Sequence, residues 1–429
     1  MAYNGMFPIS RLMEIQWKKA VRWTALSDIG LRRANNQDSH AVKVAVDARH
    51  WLERGHLFIV ADGMGAHSAG EVASRLAAET VMQSYTKRRG ESAPQALASA
   101  VYDAHRLIRE KSHREDAFRD MGTTCDAMAM LPSGLIIAHV GDSRVYRLRG
   151  DTIEQLTFDH SLVWEVCLAT NLPFDHAPSH IPRNQITRSL GPTDKLQVDI
   201  EGPFPIMVDD IYLACSDGLS GQVTDKELGE ILRALPLEPA IETLVNLANL
   251  RGGPDNITVI AVQTIHSPNT AAEVDHELEI PLSSWGLLAA TIGSGIGTGA
   301  GFVLGNIGIG SLLALLTSVV GFFFFRFAAK SIFGASPFEA ANHRYGRGPY
   351  TKTYCPPSLE FAERLAKTLQ ELRQATRGQL TVNSPDADAC EKTAKEALRK
   401  RDSAAAIREF ALAINHLMRE LKKRGAKKK

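Results

Sequence analysis

Two tetrapeptides, Ala61-Asp62-Gly63-Met64 and Cys215-Ser216-Asp217-Gly218, set the strongest constraint on how this chain can fold. Each follows an apolar run of strand character, Leu57-Phe58-Ile59-Val60 in one case and Ile211-Tyr212-Leu213-Ala214 in the other. Strands this apolar are buried, so each must deliver a carboxylate to the point where the chain turns out of a core. Glycine at that point lets backbone or ligand come close. Asp142 in Gly141-Asp142-Ser143-Arg144 and Asp255 in Gly253-Pro254-Asp255-Asn256 are two further aspartates beside glycine. A lone Asp-Gly is an ordinary turn. Several of them together make an oxygen-rich cluster, the donor set that hard divalent cations take.

At 429 residues the chain has room for two or three domains, and 44% apolar with 23% charged residues is ordinary for a globular protein. The net charge of +1 supplies no global field to attract nucleic acid. Five scattered cysteines (Cys125, Cys167, Cys215, Cys355, Cys390), with no CxxC pair, read as inert thiols in a reducing compartment. Pro8, Arg11 and Glu14 interrupt any apolar run near the start, so residues 1–20 read as a lead and not a secretory signal.

Residues 21–266 alternate short strands with amphipathic helices. Apolar runs bounded by turn residues predict strands over Val21–Ser27, Leu57–Ala61, Thr123–Leu131, Leu135–Val140, Arg144–Arg149, Gln197–Ile200, Ile211–Cys215 and Ile257–Thr264. Helical periodicity marks Ala69–Lys87, Pro94–Ser112, Ser161–Thr170, Asp225–Ala234 and Pro239–Leu250. Adjacent strands with helices in separate blocks argue for antiparallel sheets in an α+β fold. An acidic linker covers 267–283. A hydrophobic segment, 284–334, follows; the stretch from Ile280 to Phe325 holds no charged residue and is rich in glycine. A membrane helix needs about 20 apolar residues, so this stretch could supply two, read as a membrane hairpin. Arg326 and Lys330, then His343, Arg344, Arg347 and Lys352, follow it, as the cytoplasmic side should show. The competing reading is a soluble Gly-rich interaction segment. Residues 335–357 read as a second linker. Residues 358–429 form a basic helical tail, with 17 Lys/Arg against 10 Asp/Glu and an ordinary helical hairpin near its end. This tail is expected to recruit a partner or to pack on the first domain, and deleting 336–429 is expected to leave the work of the first domain nearly intact.

The acidic positions sit in an ordered series: Arg33-Ala34-Asn35-Asn36-Gln37-Asp38, Ala61-Asp62-Gly63-Met64-Gly65-Ala66-His67, Met121-Gly122-Thr123-Thr124, His139-Val140-Gly141-Asp142-Ser143-Arg144, Cys215-Ser216-Asp217-Gly218-Leu219 and Gly252-Gly253-Pro254-Asp255-Asn256-Ile257-Thr258. Across about Val21 to Gln263 this resembles the bacterial form of the PPM, or 2C-type, metal-dependent serine/threonine protein phosphatases. Any one motif is weak evidence; six in order are not. The physics agrees. Two divalent ions can bind phosphoryl oxygens, lower the pKa of a bridging water and orient it for in-line attack.

The expected architecture is therefore α+β, a central antiparallel β-sandwich flanked by helices on both faces, followed by the hydrophobic hairpin and the α-helical tail. By resemblance, Asp62 bridges two Mn²⁺ or Mg²⁺ ions and the Gly63 carbonyl binds one of them. Asp217 and Asp255 bind the second, and Asp142 with Asp217 holds a third, weaker one. Asp38 orients metal-bound water, and Arg33 clamps the substrate phosphate. Taken alone, Arg33 reads as a surface cation and Asp38 as a turn or cap residue; the joint pattern selects the functional reading. Met64 stands where eukaryotic members carry histidine, so metal-bound water is the default proton donor to the leaving group, with His67 nearby read as structural. Gln37 replaces a common glutamate and Ala66 a common glycine. Residues Phe158 to Gly191 occupy the place of a variable flap, and His160, His176 and His180 there lack zinc spacing. The expected activity is hydrolysis of phosphoserine and phosphothreonine on proteins by a bridging hydroxide at a binuclear site. The expected location is the cytoplasmic face of a membrane, and the expected partners are phosphoproteins and the serine/threonine kinases of the same pathway. The alternative is a non-catalytic phosphatase-like scaffold that acts through its helical tail.

Overall fold

The computed structural model describes residues 20–66, 68–170, 172, 177, 181–182, 185–266, 345–346, 351–377 and 384–426. The lead before residue 20, His67, His176, His180, the acidic linker and the hydrophobic 284–334 stretch lie outside these residues. No described helix is long and apolar enough to cross a membrane.

In chain order the strands are β1 (Val21–Asp28), β2 (Asp38–Lys43), β3 (His56–Met64), β4 (Gly122–Thr123), β5 (Cys125–Leu131), β6 (Gly134–Val140), β7 (Arg144–Arg149), β8 (Thr152–Gln155), β9 (Asp199–Phe204), β10 (Ile211–Cys215), β11 (Ile257–Thr264) and β12 (Lys352–Tyr354). The helices are α1 (Ala48–Glu53), α2 (Ala69–Lys87), α3 (Ala93–Arg114), α4 (Leu162–Thr170), α5 (Asp217–Ser220), α6 (Asp225–Ala234), α7 (Leu237–Leu250), α8 (Leu359–Arg377), α9 (Pro385–Arg399) and α10 (Ser403–Ala426).

Two antiparallel sheets form, one in the order β1-β11-β10-β7-β8-β12 and the other β2-β3-β5-β6-β9, with β4 paired to β3. Alternation of side chains along the strands makes a layered molecule. Phe58, Val60, Met128 and Ile137 of one sheet meet Val145, Tyr212, Ile260 and Val262 of the other in a core between them. On the far side of the second sheet, Ile59, Ala127 and Ala129 pack under Ala73, Val81 and Leu97 of α2 and α3. On the far side of the first, Leu213, Cys215 and Val259 pack under Ile231, Ile241 and Leu244 of α6 and α7. Caps fix the helix starts. Thr224 and Glu227 form a reciprocal capping box on α6, as Ser92 and Gln95 do on α3.

Of the two roles expected for the tail, packing on the first domain is the one seen, and the linker before it is in part a strand. Lys352–Tyr354, in the stretch read as linker 335–357, pairs with β8 and extends the first sheet. Cys355 is fully buried, and Phe361, Leu365, Ile407, Phe410 and Ile414 join the same core as α6 and α7. Gly229 in the middle of α6 explains the fit. A Cβ there would lie 2.2 Å from Cys355 Sγ and 2.7 Å from its Cβ. Glycine inside a helix costs about 1 kcal/mol relative to alanine, and here it opens the groove that the returning chain fills. Three exposed-to-half-exposed residues, Lys-Thr-Tyr, carry no hydrophobic period, so β12 had no signal of its own. The Gln197–Ile200 strand is displaced to Asp199–Phe204, and the Thr123–Leu131 strand breaks at Thr124.

Candidate metal centre

Asp62 lies near the end of β3, directly opposite Asp38, the first residue of β2. Pairing of the two strands thus sets two carboxylates side by side. Gly63 follows where no side chain fits: a Cβ would fall 2.1 Å from Gly70 O and 2.5 Å from Gln37 O. Thr124 holds this strand end, its Oγ1 accepting from Asp62 N (2.9 Å) and sharing a 2.8 Å hydrogen bond with Ser143 Oγ. Ser143 belongs to the β6–β7 turn that carries Asp142. Gly141 takes φ +117° there, and a Cβ on it would fall 2.5 Å from Thr124 Cγ2. Thr124 therefore ties two acidic turns together.

Asp217 opens α5 at the end of β10, and Gly218 beside it admits Asn256 O, which would lie 2.0 Å from a Cβ. Ser216 Oγ donates to Asp38 Oδ2 (2.8 Å) and accepts from Thr258 N (2.9 Å). Asp255 sits in the loop after α7. Its Oδ2 accepts from Arg33 Nη2 (2.7 Å) and its Oδ1 from Asn256 N (2.9 Å). Asn256 fastens the loop that carries Arg33, donating to Ile29 O (2.9 Å) and Asn35 O (3.0 Å) and accepting from Gln37 N (2.8 Å).

The electrostatics show that these aspartates share one space. Burial, then Asp38, Asp217, Asp142 and Asp255, push the Asp62 carboxyl well above the usual range. Burial raises Asp38 to about 6, against the hydrogen bonds from Ser216 and Thr258. Burial and Asp217 raise Asp142 to about 7. Asp217 is raised by burial and Asp255, and a hydrogen bond with Asp62 works the other way. Arg33 is strengthened as a cation, first by its hydrogen bond to Asp255 and also by Asp62 and Asp217. Arg144 faces Asp142 and Asp217 as a second cation and is gripped by Asp159 through Nε (3.0 Å) and Nη2 (2.6 Å).

This arrangement suits hard cations. Asp38 Oδ1 and Asp217 Oδ1 are buried without a hydrogen-bond partner, a costly state for carboxylate oxygens unless a cation faces them. All donors are oxygens. Among the described residues no three His, Cys, Asp or Glu close into a ready-made cage. The structure brings Asp38, Asp62, Asp142, Asp217 and Asp255 together, with Gly63 on the same strand end and Arg33 half-exposed at the rim. Met64 ends β3, and His67 lies outside the described residues.

Sequence reasoning assigned no role to Thr124, Ser216 or Asn256. It also missed His160. That ring is buried, its Nδ1 accepting from Gly141 N (3.0 Å) and its Nε2 hydrogen-bonded to Asp199 (3.1 Å). Burial pushes it down to about 4, so it is a neutral brace for the Asp142 turn.

Residues 32–164 match the family model for protein phosphatase 2C. The protein phosphatase PhpP of Streptococcus pneumoniae serotype 2 is 37% identical over 245 residues, 55% of this chain and 95% of that protein. Among solved structures, the S. agalactiae serine/threonine phosphatase is similar with a TM-score of 0.52 and 33% identity, over 57% of this chain and 99% of the other. The Mycobacterium tuberculosis serine/threonine phosphatase PstP/Ppp follows with a TM-score of 0.51 and 34% identity, again over 57% and 99%.

Proposed function

The chain belongs to the protein phosphatase 2C family and is a protein serine/threonine phosphatase; from that premise we propose that Asp62, Gly63, Asp142, Asp217 and Asp255 hold two or three Mn²⁺ or Mg²⁺ ions at which phosphoserine and phosphothreonine are hydrolysed. The observation that carries this is the convergence of buried carboxylates on one strand-end cluster, two of their oxygens unpartnered. Bound ions would supply a water nucleophile at neutral pH and offset the charge of the phosphoryl group. The residues of the chain do the rest. Asp38, held by Ser216 and Thr258, orients a water beside Asp62. Arg33, steered by Asp255, presents its remaining N–H donors to the phosphate from the rim.

The test is phosphopeptide hydrolysis by the full-length protein with and without Mn²⁺, alongside Arg33→Ala. Release should require the metal. Losing the guanidinium should lower kcat/KM by about 10- to 100-fold, mostly through KM, since a charge-assisted hydrogen bond is worth about 1.5–3 kcal/mol. Metal-independent release would remove the proposed centre.

The domain plan that goes with this reading is a catalytic unit (21–266) completed by the tail (358–429), with 284–334 as a two-helix membrane hairpin that tethers it at the cytoplasmic face. Its partners are phosphoproteins, supplied by the serine/threonine kinases of the same pathway. Support for the hairpin comes from where the chain leaves and returns. It leaves after β11 and comes back at β12, both strands of one sheet. A membrane-entering segment between them must cross an even number of times. Full-length protein should stay with membranes through an alkaline wash, and a variant lacking 284–334 should not. Equal release of both would refute the tether.

A further inference from the structure

The C-terminal helix reaches the loop that carries Arg33. α10 lies against α7, where Asn246 Nδ2 donates to Asn415 Oδ1 (2.9 Å), Asn415 Nδ2 donates to Thr243 Oγ1 (2.9 Å), and Arg419 Nε donates to Glu242 Oε1 (2.6 Å). About one turn further on, Lys422 Nζ lies 2.7 Å from Asp28 Oδ2. Asp28 ends β1, and its Oδ1 accepts from Gly30 N (3.0 Å) and Asn249 Nδ2 (3.1 Å). One carboxylate thus joins the tail, the last turn of α7 and the first turn of the loop.

That loop is seated directly on the Asp255 segment. Leu31 N and Arg32 N both donate to Gly253 O (2.9 and 3.2 Å). Gly30, at φ +77°, is packed so closely that a Cβ would fall 2.2 Å from Asp255 O. Burial opposes the Asp28 charge, and Lys422 and the Gly30 amide outweigh it, holding this carboxyl below its usual range. A shift of the loop at Gly30 is therefore a shift of Arg33 relative to Asp255.

Resting on the proposed roles of Arg33 and Asp255, we infer that Lys422 is a positioning residue: the docked tail, through Asp28, fixes the Arg33 loop in the geometry that captures a phosphorylated side chain. Loss of the Lys422–Asp28 contact, with α10 otherwise in place, weakens substrate capture and leaves the bond-breaking step alone. The end of α10 is then a support of the Arg33 loop.

The experiment compares full-length protein with Lys422→Met, Lys422→Arg and Arg419→Met. Two readouts are taken, phosphopeptide kinetics with Mn²⁺ and the rate at which trypsin cuts at Arg32 and Arg33 in metal-free protein. Lys422→Met should raise KM about threefold at unchanged kcat and speed cleavage by a similar factor, the scale of one solvent-exposed ion pair. Lys422→Arg should restore both. Arg419→Met, whose partner Glu242 lies on α7 away from the loop, should change neither. The inference is overturned by a Lys422→Met protein that matches the parent, by Arg419→Met giving the same effect, by a raised KM without faster cleavage, by a fall in kcat at constant KM, or by Lys422→Arg failing to rescue. Cleavage needs no catalysis. Faster cleavage in a protein that releases no phosphate would sink the functional reading and keep the loop coupling.

Discussion

Replacing Asp217 by asparagine in the full-length protein is expected to cut metal-dependent phosphate release by about 10³-fold or more, and to make the metal-free protein more stable at neutral pH. The two effects have one cause. Asp217 is among the charges that push up Asp62, Asp38 and Asp142. With no cation present, that repulsion is a cost of folding; with cations bound, the same negative charge is what holds them. The sign can be worked out for pH. Asp38 and Asp142 lose their protons near about 6 and about 7 in the fold, against 3.8 in an unfolded chain. Between those values the native state holds more protons than the unfolded one, so stability of the metal-free protein falls as pH rises from about 4 to about 7. Asp217→Asn should flatten that decline.

Adding Mn²⁺ separates the two states further. At about a hundred times its dissociation constant a ligand stabilises the native protein by about 2.7 kcal/mol, which is roughly 5–10 °C in melting temperature for a domain of this size. The parent protein should show that rise at pH 7.5 and Asp217→Asn should lose most of it. Thermal melts with and without Mn²⁺, read beside phosphopeptide assays, check both halves. Full activity in the variant would falsify the assignment of Asp217. An unchanged metal-free melting curve would show that the carboxylates do not repel one another as the geometry requires.

What could be read from the residues follows burial. β7, β10, β11, α2 and α6 have the ends that apolar patterning predicts, because each buries a face whose period the sequence displays. β2 was invisible: Asp38-Ser39-His40-Ala41-Val42-Lys43 is mostly polar and half-buried, and it becomes a strand by pairing with β3. The same pairing sets Asp38 opposite Asp62, a relation that no local pattern encodes. Thr124, Ser216 and Asn256 are ordinary loop residues by type. Their importance appears only when residues far apart in sequence meet, as Ser216 and Asp38 do. How much the tail adds to the catalytic core is likewise not written in its own residues. Seven of ten residues of α6 and ten of fourteen of α7 are buried, more than a one-sided surface helix would hide. That excess is visible only in the fold; in the sequence the glycine at 229, inside a helical stretch, is the sole hint of a close neighbour.

Stopping the chain at residue 378, which removes α9 and α10 and keeps the hydrophobic segment, is expected to destabilise the catalytic unit severely. The side chains lost include Ile407, Phe410, Ile414 and Leu417, each at most 2% exposed and packed in the core that also holds Ile231, Ile241 and Leu244. Burying a side chain of this kind is worth about 1.5–3 kcal/mol, so four of them outweigh the whole margin of many domains even after part is offset by the entropy of ordering the tail. Phe410→Ala alone should cost about 3–5 kcal/mol. The truncated protein should melt at least about 10 °C below the parent in the same buffer, with fast hydrogen exchange in α7. Because α7 leads straight into Asp255, phosphopeptide hydrolysis should fall with it. A truncated chain with the parent's melting temperature and undiminished activity would restore the picture of a dispensable arm and detach the tail from the catalytic core.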